Sequence, residues 1–61
     1  MLDDIIELAK IYGRDVGDVN RSYNFHYNLL TKLYPYSDGE WRRRRALHAL
    51  EHLYKRSRVK E

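Results

Sequence analysis

Four consecutive arginines, Arg42–Arg45, open a basic segment that continues through His48, His52, Lys55, Arg56 and Arg58. Guanidinium groups bind phosphate by charge and by forked N–H donation, and ammonium groups bind it by charge. Trp41, just ahead of the run, adds a flat ring of the kind that stacks on bases. Residue types and spacing therefore point first to a polyanion. Glu51 is the one acid between residues 41 and 60. His48 and His52 stand four residues apart, so on a helix they share a face and present two nitrogens to a metal. A catalytic zinc needs three protein ligands. No third ligand is evident, so neither a metal nor any other cofactor is expected.

The element that must carry these groups is a helix over residues 38–58. Ser37 and Glu40 have the S-x-x-E spacing of a capping box, with Tyr36 and Trp41 at the positions of a hydrophobic staple. Asp38 and Glu40 suit the positive end of the helix dipole, and Lys55, Arg56 and Arg58 the negative end. At 100° per residue, Ala46, Leu47, Leu50, Leu53 and Tyr54 form a core face. Arg44, Arg45, His48, His52 and Lys55 lie opposite, headed by Trp41. Four arginines in a row wrap the whole first turn, so at least one must lie against the core edge through its aliphatic stem.

Two helices precede it. Residues 2–12 place Leu2, Ile5, Leu8, Ala9 and Tyr12 on one face, and Gly13 ends the pattern. Asp15 is the expected N-cap of a second helix over residues 16–34, with Asp18 at N3. Its core face holds Val19, Tyr23, Tyr27, Leu30, Leu33 and Tyr34, with His26 half-buried among them. Pro35 disfavours helical geometry at Tyr34 and closes the segment. The expected fold is all-α, a small three-helix bundle forming a single domain over residues 1–61.

Composition narrows the classes. The chain has 61 residues, 43% hydrophobic, with six Tyr, one Trp and one Phe, too apolar for a disordered chain. It has no Cys, which excludes disulfides and thiolate metal sites. Net charge is +3, but unevenly placed. Asp3, Asp4, Glu7, Asp15 and Asp18 crowd the first third, and the cations crowd the last. No apolar run reaches membrane-spanning length and no signal-peptide pattern is visible, so a cytoplasmic location without membrane attachment is expected.

Residues 8–24 resemble the helix-turn-helix of the Lac-repressor type of DNA-binding regulator. The resemblance rests on Ala9, on Gly13 four residues later, on Asp15 as cap and on Val19 as core residue. Arg14 and Ser22 depart from it, standing where that family places inward-packing residues. The resemblance implies that Val16–Arg21 begin a recognition helix, with Asn20 and Arg21 reaching base edges. His48-Ala-Leu-Glu51-His52 has the spacing of the inverted zinc-peptidase motif, but the chain is far smaller than those enzymes and offers no substrate cleft. Leu47, Leu50, Leu53 and Tyr54 loosely resemble the segment by which small proteins dock on the replication sliding clamp, without its leading Gln.

The functional expectation is a nucleic-acid-binding regulatory or accessory protein, not an enzyme, with DNA favoured over RNA. Its contact residues would be Asn20, Arg21, Trp41, Arg42, Arg44, Arg45, His48, His52, Lys55 and Arg56. The alternative is a module that inhibits or adapts a larger protein complex, such as a replication or transcription assembly, through an amphipathic helix. Short helices with Tyr-rich faces also suggest a homodimer.

Overall fold

A computed structural model describes residues 2–59, with side chains from Asp3 to Ser57. It contains three α-helices: α1 (Leu2–Tyr12), α2 (Val16–Leu33) and α3 (Gly39–Val59). Leu2 and Arg58, expected on the core face of α1 and in the basic segment of α3, lie outside the described side chains.

The first corner is closed by its own residues. Gly13 takes a left-handed φ of 61°, open to glycine without steric cost. The Arg14 amide then donates to the Ala9 carbonyl at 2.8 Å and the Gly13 amide to Lys10 at 3.4 Å. These are the paired bonds of a Schellman ending. Two residues on, the Asp15 carboxylate accepts from the Asp18 amide at 3.2 Å and caps α2. Arg14 packs across the Tyr54 ring, 4.3 Å from its centroid, and donates to the Ser57 hydroxyl at 3.1 Å. A guanidinium plane thus fills the position where an apolar side chain would otherwise seal the corner against α3.

The second corner differs from its expected form. Tyr34 leaves the helix at φ −131°, as the following Pro35 requires. The Ser37 amide donates back to the Tyr34 carbonyl at 3.1 Å, closing a β-turn with Pro35 in its second position. The Ser37 hydroxyl donates to the same carbonyl at 2.7 Å, and α3 begins two residues later, with the Arg42 amide donating to the Asp38 carbonyl at 3.1 Å. The Ser37–Glu40 capping box is therefore not formed, because the turn takes the Ser37 hydroxyl and two arginines take the Glu40 carboxylate. The staple fails with it. Tyr36 is fully exposed, and Trp41 packs edge-on against Tyr34 at 5.4 Å instead.

The helices run up, down and up. Asp4 pairs with Arg43 and Tyr12 meets Tyr54 at 5.7 Å, so α1 lies parallel to α3, with α2 antiparallel to both. The core takes Ile5, Leu8 and Ala9 from α1, Val19 and Tyr23 from α2, and Ala46, Leu50 and Tyr54 from α3. Fully burying one such aliphatic side chain contributes about 1.5–3 kcal/mol. Tyr12, Tyr27, Leu30 and Leu47 pack around the edge.

Between Cα extremes the molecule measures 39 × 23 × 15 Å, the thickness of two packed helix layers with axes about 8–10 Å apart, so each helix keeps an uncovered flank. Part of the expected core faces of α2 and α3 therefore stays in solvent. Leu33 and Tyr34 lie past the end of α1 and are exposed, and Leu53, about 60° around α3 from Leu50, is exposed at its edge.

Candidate nucleic-acid interface

On a helix, four successive side chains leave the axis in four directions about 100° apart, and the arginine run divides accordingly. Arg43 turns inward and pairs with Asp4 of α1 and, at 2.6 Å, with Glu40. It is 24% exposed. The hydrogen bond donated by Arg43 is the main reason that the Glu40 carboxyl lies below the usual carboxylate range, with Arg44 adding to the effect against some desolvation. The Arg43 guanidinium is raised above its usual value for the reciprocal reason.

Arg42 reaches back across the second corner. One terminal nitrogen donates to the Ser37 carbonyl at 2.6 Å and to the Ser37 hydroxyl at 2.9 Å, with Tyr34 O at 3.4 Å. Its guanidinium stands 5.5 Å from the Tyr27 ring centroid. Arg42 thus tethers the turn at the carbonyl end of α2, where a cation also suits the dipole, through this one nitrogen, while its buried Nε has no hydrogen-bond partner among the described residues.

The other two arginines face out. Arg44 is 70% exposed and makes a 3.3 Å contact with Glu40. Arg45 lies over the Trp41 ring at 5.4 Å. His48, His52, Lys55 and Arg56 follow on the same side of α3, all exposed. The face anticipated from periodicity is thus present, with Arg42 removed from it and Trp41 at its head.

Sequence reasoning did not foresee what borders this face. Between α2 and α3 opens a groove of about 600 Å³, floored by Leu29, Leu30 and Ala49. His26 of α2 and Arg45, His48 and His52 of α3 form its walls. His26 Nδ1 lies 2.8 Å from the Ser22 carbonyl. A carbonyl can only accept, so Nδ1 carries the proton and Nε2 of the neutral ring remains an acceptor. The signal was present in the sequence: His26 and Leu30 are one turn apart, as are His48 and His52. The missing step was knowing which flank of α2 meets which flank of α3. Next to Leu29 along α2, Phe25 and Leu33 stand 65% and 61% exposed.

Asn20 and Arg21 are exposed at the start of α2, and Arg21 is paired with Asp18. Asn20 and Leu29 are nine residues apart, which sets them roughly 180° apart around α2. The structure therefore does not bring Asn20 and the α3 face onto one surface, whereas Arg21, eight residues from Leu29, stands about 80° from it around α2. Ala9 and Val19 are buried, and Gly13 and Asp15 do the local work described above. Ser22 is half-buried, its carbonyl facing His26. Among the described residues no group of three or more His, Cys, Asp or Glu is placed to hold a metal ion, and no helix is long and apolar enough to cross a membrane.

No match to a family model, a curated protein or a solved structure was found for this chain.

Proposed function

We propose that this chain is a small nucleic-acid-binding protein, a regulatory or accessory factor that holds the phosphate backbone on the outer face of α3. The observation that carries the reading is the division of the arginine run. Fold stability uses Arg42 and Arg43, whereas Arg44, Arg45, His48, His52, Lys55 and Arg56 remain in solvent on one side of a single helix. Between residues 41 and 57 only Glu51 opposes them. Cations aligned in this way displace the counterions condensed on nucleic acid, and binding of that origin falls steeply with salt.

The test is a salt series of binding titrations on wild type and on an Arg44→Ala, Arg45→Ala double variant. Each lost phosphate contact should lower the slope of log affinity against log salt by about 0.7 for a single strand and about 0.9 for duplex DNA, while thermal stability stays near wild type. An unchanged slope in the double variant would sink the proposal. An alternative version, carried by the resemblance of residues 8–24 and not by the α3 face, has duplex DNA read by Asn20 and Arg21. On that version, Asn20→Ala and Arg21→Ala should lower discrimination by about 1–3 kcal/mol for each well-formed base contact.

One observation favours a second reading. Phe25, Leu29 and Leu33 form an exposed apolar flank on α2, which would suit a protein partner or a second copy of the chain. Contacts of that kind persist at high salt, so the same titration separates the two readings.

A further inference from the structure

We propose that the groove between α2 and α3 receives a single unstacked nucleobase, so that the chain prefers single-stranded nucleic acid over an uninterrupted duplex. The inference rests on the reading of the α3 face as a phosphate-binding surface, and gives that surface a substrate class. Backbone contact alone requires cations. It gives no role to an apolar floor of Leu29, Leu30 and Ala49 opening beside those cations. At about 600 Å³, the groove falls within the range of small-ligand sites, about 300–1,000 Å³.

The walls match the chemistry of a base. Imidazoles are flat rings on which bases stack, and their ring nitrogens can hydrogen-bond to base edges. Three of them, His26, His48 and His52, line this one groove. With His26 Nδ1 engaged by the Ser22 carbonyl, Nε2 is the nitrogen left for a ligand. Arg45 belongs both to the groove wall and to the exposed cationic face. A base held on the apolar floor would thus bring its own phosphate to Arg45 and the neighbouring phosphates toward Arg44 and Lys55. No carboxylate lines the groove, as an anionic ligand demands. A paired base inside a duplex cannot enter unless it is unstacked and unpaired first, which costs free energy. An unpaired strand presents its bases freely, whether DNA or RNA.

The experiment compares fluorescence-anisotropy affinities for oligo-dT, oligo-rU and a random duplex of the same length, in wild type and two variants. Ala49→Phe fills the groove without changing any charge, and His48→Ala removes one wall from an exposed position. Stacking of one base on such groups corresponds to about a 5- to 150-fold gain in affinity, so wild type should favour at least one single strand over duplex by that order. The two oligonucleotides decide which sugar is accepted. In Ala49→Phe the single-strand affinity should fall to the duplex level, with duplex affinity and salt slope unchanged. His48→Ala should lower the preference part of the way, and it keeps the test valid if circular dichroism shows that Ala49→Phe misfolds. Equal wild-type affinity for strand and duplex overturns the groove proposal but leaves backbone binding standing. So does a single-strand preference that survives both variants. Absence of binding to every probe at low salt removes the nucleic-acid reading itself, and this inference with it.

Discussion

The two corners of this molecule reverse the chain by different means. The first, at Gly13–Asp15, is closed from within: a left-handed glycine, two backbone bonds and one carboxylate cap suffice. The second, at Tyr34–Asp38, adds to its own β-turn a hold from outside, the Arg42 side chain, which starts in α3 and ends on Ser37. Residue types alone describe a corner of the first kind. A corner of the second kind depends on where a long side chain from the next element comes to rest. The contrast also explains why counting arginines overstates the binding surface, since one of the four is a fastening and another ties α1 to α3.

Substitutions at the two corners sharpen the comparison. The largest expected effect is Arg42→Ala, which removes charge-assisted bonds to two oxygens of Ser37 and uncovers the Tyr27 ring. Bonds of this type are worth about 1.5–3 kcal/mol, so chemical denaturation should show a loss of roughly 2 kcal/mol, partly restored by Arg42→Lys. Arg44→Ala should leave stability within about 0.5 kcal/mol. If the two alanine variants melt alike, the division of the run is wrong.

Next come the two residues that resemble caps. Asp15→Ala should cost about 1 kcal/mol, in the range for a lost N-cap, or a fall in melting temperature of about 4–8 °C for a domain of this size. Ser37→Ala removes a hydroxyl that donates to Tyr34 O and accepts from Arg42 without capping α3, so its cost, about 0.5–1.5 kcal/mol, should shrink in an Arg42→Ala background. A full loss that persists there would mean that the second corner does use a capping box.

The smallest effect is a pH dependence. Arg43 holds the Glu40 carboxyl below its usual range, so the folded form binds this proton less readily than the unfolded chain. The resulting stability is present above the ordinary carboxylate pKa of about 4.3 and is lost as pH falls through the depressed folded value. Glu40→Gln should flatten that acid limb in pH-dependent melts and leave the region above neutrality unchanged. An acid limb identical to wild type would show that the Arg43 link contributes nothing in solution.

The helices were legible in the sequence to within one residue, because apolar periodicity, Gly13, Asp15 and Pro35 are local signals with local causes. Ile5, Ala46 and Leu50 were placed in the core for the same reason. The failures share a cause of another kind. The S-x-x-E spacing was real, but Arg42, Arg43 and Arg44 compete for its two side chains with charged donors, and such bonds are about twice as strong as neutral ones. Leu33 and Leu53 followed the periodicity but lie on flanks that a bundle of three helices leaves uncovered. The outer face of α3 was readable; the groove beside it was not, because it is a property of two helices together.

The Asp4–Arg43 pair has a consequence for the order in which the molecule comes apart. Of the three helix pairs, α1 and α3 touch least, and this ion pair at one end and the Tyr12–Tyr54 contact at the other bracket their interface. Salt screens partly exposed charges of this kind, whereas the apolar seam between α2 and α3 does not depend on them. Rising ionic strength should therefore loosen α1 as a separate cooperative unit, its amides losing hydrogen-exchange protection while those of the α2–α3 hairpin keep theirs. The shortest helix would then act as a detachable flap, and the first core surface offered to solvent would be its own Ile5, Leu8 and Ala9 together with the Val19, Ala46 and Leu50 side chains that they cover.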